Sequence, residues 1–154
     1  MTNNEFPAIK GITVLVPVWM LDFTRKIMDD NQPNEACALV FGTTRKDSGE
    51  LLIDIRAFRE IKNLINSPSA FEIDPVEQFK IMEEERAGGN ILIGILHTHP
   101  GSQFVSASDD FHIRNAGKIS NLCWFIAGTR EGQLEMGGYI LVKDKIYSLE
   151  LKFI

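Results

Sequence analysis

Short apolar blocks alternate with polar runs along this chain, and their periods predict the elements. ITVLV (12–16) is β-branched and predicts a first strand, after a polar stretch, residues 1–10, expected to be a flexible tail. Pro17 suits the first turn of a helix, and VWMLDFTRKIMDD carries apolar Val18, Leu21, Ile27 and Met28 until NQPN (31–34) stops it. ACALVFG (36–42) and LLIDIRAF (51–58) read as paired strands joined across TTRKDSGE, with Asp47, Ser48 and Gly49 as turn residues. NLINSPSAFEID is loop-like with a short extended piece. Asp74 then caps a helix begun by Pro75, with Val76, Phe79 and Met82 as its apolar stripe and Gly88 and Gly89 ending it. ILIGIL (91–96) is almost wholly apolar, as expected of a strand covered on both faces. A helix over 106–117 follows, then strands LCWFIAG, EMGGYILVK and IYSLELKFI, the last two joined as a hairpin by KDK (143–145). With no repeat, low-complexity segment or linker, residues 1–154 read as one α+β domain.

Composition narrows the function classes. At 44% hydrophobic and 24% charged the chain reads as an ordinary globular protein. A net charge of −5 without a basic stripe argues against nucleic acid as the main partner. No stretch approaches the ~20 apolar residues of a membrane span, and MTNNEFPAIK lacks the features of a secretory signal. Cys37 and Cys123 lie in apolar runs and are expected to be reduced core thiols, which fits a cytoplasmic location.

The three histidines, His97, His99 and His112, are crowded into HTHPGSQFVSASDDFH. Two histidines separated by one residue point about 200° apart on a helix but to one side of an extended chain. The preceding strand and Pro100, which disfavours helical geometry at His99, select the extended case. The imidazoles then form a two-pronged metal grip. Ser106 opens a helix in an S-x-x-D pattern that places Asp109 in its first turn, where a folded-back GSQFV loop would bring a carboxylate to the histidines. Two nitrogens, one oxygen and an open position describe a catalytic zinc site rather than a closed structural one. Such a site needs a base for its water, and Glu35, at the mouth of the ACALVFG strand, is the candidate. Motifs of other zinc hydrolases are absent: there is no H-E-x-x-H, nor the H-x-E with P-C-x-x-C of cytidine deaminases.

Together Glu35, HTHP and S-x-x-D resemble the JAMM (MPN+) zinc metalloproteases of the JAB1/MPN family. NEACALVFG is similar to the family's glutamate segment, with Ala38 where glycine is frequent. FEIDPVEQFKIMEEERAGG before HTHP is similar to the prokaryotic branch, and FVSASD to the opening of the metal-binding helix. The resemblance implies a JAB1/MPN domain with a curved mixed sheet flanked by helices, in a three-layer, αβα-like arrangement with a deaminase-like core. It implies one Zn2+ per chain held by His97, His99 and Asp109, Glu35 as general base and proton donor, and Ser106 as hydrogen-bond donor to the oxyanion. The implied activity is hydrolysis of the isopeptide or peptide bond after the C-terminal Gly-Gly of a ubiquitin-like modifier or its conjugates, with neither nucleic acid nor membrane as partner and a homodimer compatible. Two alternatives stand beside it: a peptidase acting on a sulfur-carrier protein, and a non-catalytic scaffold.

One departure bears on the site. PGSQFV leaves one residue fewer than usual between the second histidine and the serine, so counting from His99 points to Asp110 and counting from Ser106 to Asp109. A loop absorbs a deletion more easily than a helix cap, which favours Asp109. His112, one turn on, reads as an exposed helix residue. The only room for elements that grip a substrate lies in 59–70 and in TREGQLEMGG (129–138), which predicts an accessible groove.

Overall fold

The structure, a computed structural model, describes residues 6–116 and 121–154. Its elements run β1 (Ala8–Val16), α1 (Trp19–Asn31), β2 (Cys37–Asp47), β3 (Glu50–Ile61), α2 (Pro75–Ala87), β4 (Ile91–Thr98), α3 (Ala107–Ala116), β5 (Cys123–Arg130), β6 (Gln133–Val142) and β7 (Lys145–Phe153). Three tight hairpins follow from residues that accept positive φ at both central positions: Ser48 and Gly49, Glu131 and Gly132, Lys143 and Asp144. Mirror-image turns of this kind match the twist of antiparallel strands.

The predicted mixed sheet with flanking helices is present, but the sheet is not an open layer. The strands follow the order β1-β3-β2-β4-β5-β6-β7 and close into a barrel through parallel pairing of β1 with β7, with Val14 opposite Leu151 and Val16 opposite Phe153. That closure also shortens the expected tail. Strand β1 begins at Ala8, which is opposite Ser148, so residues 8–10 belong to the sheet; residues 1–5 of the tail lie outside the described residues. The helix expected to reach 117 is described to Ala116.

Alternation in β2, β4 and β5 splits the core into two clusters. Ala38, Val40, Leu96 and Phe125 face inward with Met20, Ile27 and Met28 of α1. Leu39, Phe41, Ile95 and Ile126 face outward beneath Ile81 of α2 and Ile113 of α3. These strands are therefore apolar on both faces, as ILIGIL predicts.

The stripe predicted for α2 holds at Met82, which packs on the outer cluster, and fails at Val76 and Phe79. Val76 and Phe79 are 76% and 63% exposed, whereas Ile81 is buried, with Gln78, Met82 and Glu85 partly covered beside it. Arg59 of β3 pairs with Glu84 (2.6 Å) and Glu85 (3.0 Å) on the side of the helix this rotation presents to it. TREGQLEMGG likewise is no insertion; it is the tight β5–β6 hairpin. Cys37 and Cys123 are free and buried, and burial pushes the Cys123 thiol up to about 12. Among the described residues no helix is long and apolar enough to cross a membrane.

Candidate metal centre

Strand β4 carries His97 near its C-terminal end, opposite Cys37 of β2 and Ile126 of β5, and His99 follows one residue past the strand. The extended backbone turns both imidazoles to one side, as the H-x-H spacing predicts; their centroids are 5.2 Å apart. Helix α3 brings Asp109 to them. His97 Nε2 lies 2.8 Å from Asp109 Oδ1 and His99 Nε2 lies 3.0 Å from Oδ2. Asp110 points elsewhere and pairs with Arg114 at 2.6 Å, so Asp109 is the carboxylate that reaches the histidines.

Ser106 holds Asp109 in place. Its hydroxyl accepts from the Asp109 N–H (3.1 Å), and the Asp109 carboxylate accepts from the Ser106 N–H (3.0 Å), a reciprocal cap of the helix. Glu35 approaches from β2's entry, with Oε2 3.9 Å from His99 Nε2. Thr98 fixes that entry, because its hydroxyl accepts from the Ala36 N–H (3.0 Å) and its own N–H donates to the Ala36 carbonyl (2.9 Å).

The three groups Glu35, His97 and His99 offer ligand atoms within 4.8 Å of one another, and Asp109 touches both imidazoles. Glu35 Oε1 and His97 Nδ1 are buried without a hydrogen-bond partner, and His97 Nε2 has only the Asp109 carboxylate beside it. An unpaired buried polar atom costs about 1–3 kcal/mol, so Glu35 Oε1 is left ready to accept a hydrogen bond at the cluster. His99 Nδ1 faces the Ser102 carbonyl at 3.1 Å. A carbonyl only accepts, so Nδ1 carries a proton and the Nε2 lone pair is left to a proton or a cation. Two imidazoles and a carboxylate suit zinc and neighbouring divalent metals, so the residues present fit a metal ion.

Charge and burial oppose each other here. Burial raises the Glu35 carboxyl to about 7, against the pull of His99 and with added repulsion from Asp109. Burial depresses His97 despite Asp109. For His99 burial again opposes the charged form, but its hydrogen bond to Asp109 prevails and raises it. Asp109 itself, although buried, is held well below the usual carboxylate range by its contacts with the two histidines.

Four supporting features escape sequence reasoning. Phe71 stacks on His97 with centroids 4.6 Å apart, and His112 packs on Phe71 at 5.2 Å, so His112 is half-buried rather than exposed. Phe104 meets His99 edge-on at 5.1 Å. Gly128 of β5 has no room for a Cβ, which would strike the backbone of Gly101, Ser102 and Gln103; the loop that carries the Ser102 carbonyl lies flat on that glycine. Asn63 binds the Glu35 carbonyl from a neighbouring loop (3.0 Å). The cleft over the cluster holds about 190 Å3 and is lined by Glu35, His99, Ser106, Pro68, Ser69 and Phe104.

Comparison with known proteins identifies the family of the chain. A family profile described as prokaryotic homologs of the JAB domain matches residues 20–138. A protein named desampylase, from Pyrococcus furiosus, is 30% identical over 87 residues, which cover 56% of this chain and 56% of that protein. The chain thus matches little more than half the length of that relative. The solution structure of protein DSY2949 from Desulfitobacterium hafniense superposes with a TM-score of 0.73 over 92% of both chains, at 22% identity, and so shares the fold. With the matched stretch taking in Glu35, both histidines and Asp109, the chain belongs to the prokaryotic JAB-domain family.

Proposed function

We propose that this protein is a zinc-dependent peptidase or isopeptidase that cleaves the bond after the C-terminal Gly-Gly of a ubiquitin-like modifier. The observation that carries this reading is the buried His97–His99–Asp109 cluster with the Glu35 carboxylate beside it and no hydrogen-bond partner for Glu35 Oε1. His97, His99 and Asp109 would hold the ion, which when bound supplies Lewis acidity toward a water and a carbonyl. Glu35 takes the proton of the attacking water on its carboxylate and gives it to the leaving amine. Its raised affinity for protons suits both transfers near neutral pH. Ser106 already accepts the Asp109 N–H, so its own O–H remains to be donated to the developing oxyanion. Pro68, Ser69 and Phe104 narrow the cleft, which suits the side-chain-free Gly-Gly segment of an extended tail.

The test is metal analysis of the purified protein together with cleavage of a ubiquitin-like protein fused through Gly-Gly to a reporter. Cleavage that chelator abolishes and added zinc restores is expected. A folded, metal-free and inert protein would instead favour the scaffold reading, and mass spectra of the products separate modifier conjugates from a sulfur-carrier substrate. Ser106→Ala is expected to keep its metal and to lose about 10²–10³-fold in kcat. The same change removes the helix cap and costs about 0.5–2 kcal/mol in a denaturation series. An unchanged rate beside that stability loss would leave Ser106 a cap alone.

A further inference from the structure

The segment between β3 and α2, residues 62–74, has no helix or strand, yet three of its residues serve the site: Pro68 and Ser69 line the cleft and Phe71 stacks on His97. Its shape rests on one side chain. Asn63 is 6% exposed and uses all four of its hydrogen-bond positions. Its amide donates to the Glu35 carbonyl (3.0 Å) and the Ala70 carbonyl (3.1 Å). Its carbonyl accepts from the N–H groups of Ile65 (3.2 Å) and Glu72 (3.1 Å). The neck of the loop closes where the Leu64 N–H donates to the Glu72 carbonyl (2.9 Å). From inside the loop, the Ser67 carbonyl accepts the Glu35 N–H (2.8 Å).

Both main-chain groups of Glu35 therefore go to this loop, while Ala36 is clamped by Thr98. A side chain that must hold its carboxylate at the histidines is only as well placed as its own backbone. We infer that Asn63 is a positioning residue for the reaction: its amide half sets Glu35 against the metal cluster and ties it to the loop at Ala70, and its carbonyl half fixes the same cleft-lining loop at Ile65 and Glu72. It touches neither substrate nor metal. Asparagine alone among side chains of this size offers two donors and two acceptors at once. The inference rests on the proposed hydrolysis and divides its effect between two kinetic constants.

Asn63→Asp keeps the two acceptors and removes the donors, whereas Asn63→Ala removes both. On a fluorescent lysine peptide joined to a ubiquitin-like protein through its Gly-Gly tail, Asn63→Asp, which also frees the Ala70 carbonyl, is expected to lower kcat at least tenfold and to raise KM less than Asn63→Ala does. Asn63→Ala is expected to lower kcat similarly and to raise KM several-fold. Both should hold as much metal as the wild type. In metal-free protein, where activity plays no part, both should accelerate hydrogen exchange at the Glu35 amide, and Asn63→Ala also at 64–72. A wild-type kcat in Asn63→Asp, metal loss in step with the rate, or failure of both variants to fold would overturn the inference. If the wild type does not cleave the probe, the proposed function fails instead; unchanged exchange at Glu35 would still refute the positioning role independently.

Discussion

Glu35→Gln is expected to abolish hydrolysis, by about 10²–10⁴-fold in kcat, in a protein that still binds its metal. The change keeps the shape of the side chain and its backbone bonds to Asn63 and Ser67, and removes only the capacity to accept and return a proton. Glu35 Oε2 stands 3.9 Å from His99 Nε2, farther than the 3.0 Å and 2.8 Å that separate Asp109 from the two imidazoles. That ordering supports the proposed division, with Asp109 as ligand and Glu35 as proton carrier. Titration with zinc and single-turnover cleavage, measured on the same preparation, check the two parts separately. If metal affinity collapses with activity, Glu35 is itself a ligand with His97 and His99, a grouping their mutual proximity also permits.

Asp109→Asn should be the complementary case, weakening metal binding by at least about 100-fold and activity with it. Loss of a mere supporting partner of a ligand already costs about 10–100-fold in affinity, and Asp109 meets both histidines directly. Asp110→Asn is the matched control. It breaks only a half-exposed pair with Arg114, worth about 0.2–1 kcal/mol, and should leave metal affinity within about twofold. Competition against a chelator of known affinity measures both variants. A larger effect at Asp110 would mean that the helix shifts register when metal binds.

The centre was readable because its parts are local. The H-x-H grip needs only the alternation of a strand, and the S-x-x-D cap needs only the first turn of a helix, so each can be derived from a few adjacent residues. What joins them is not local. Phe71 lies 26 positions from the histidine it stacks on, and Asn63 lies 28 from the glutamate it holds, with no pattern in NLINSPSAFEID to announce either. Two of the three α2 stripe positions, Val76 and Phe79, fail for a related reason. Val76 and Phe79 outrank Gln78 and Glu85 in hydrophobicity, but ion pairs from Arg59 to Glu84 and Glu85 help to decide which face turns toward the sheet. Barrel closure is equally hidden, since parallel pairing between the first and last strands leaves no short-range signature.

That seam imposes an order on assembly. On the ribosome, β1 emerges before the other described strands and its partner β7 after them, so one side of β1 waits for β7 to pair within this sheet. The glutamate, the histidines and the aspartate emerge between the two, and their pocket matures on a sheet whose last staves are added only after they are in hand. Arrival of β7, rather than synthesis of the reactive residues, is then the event that closes the sheet whose outer face carries them.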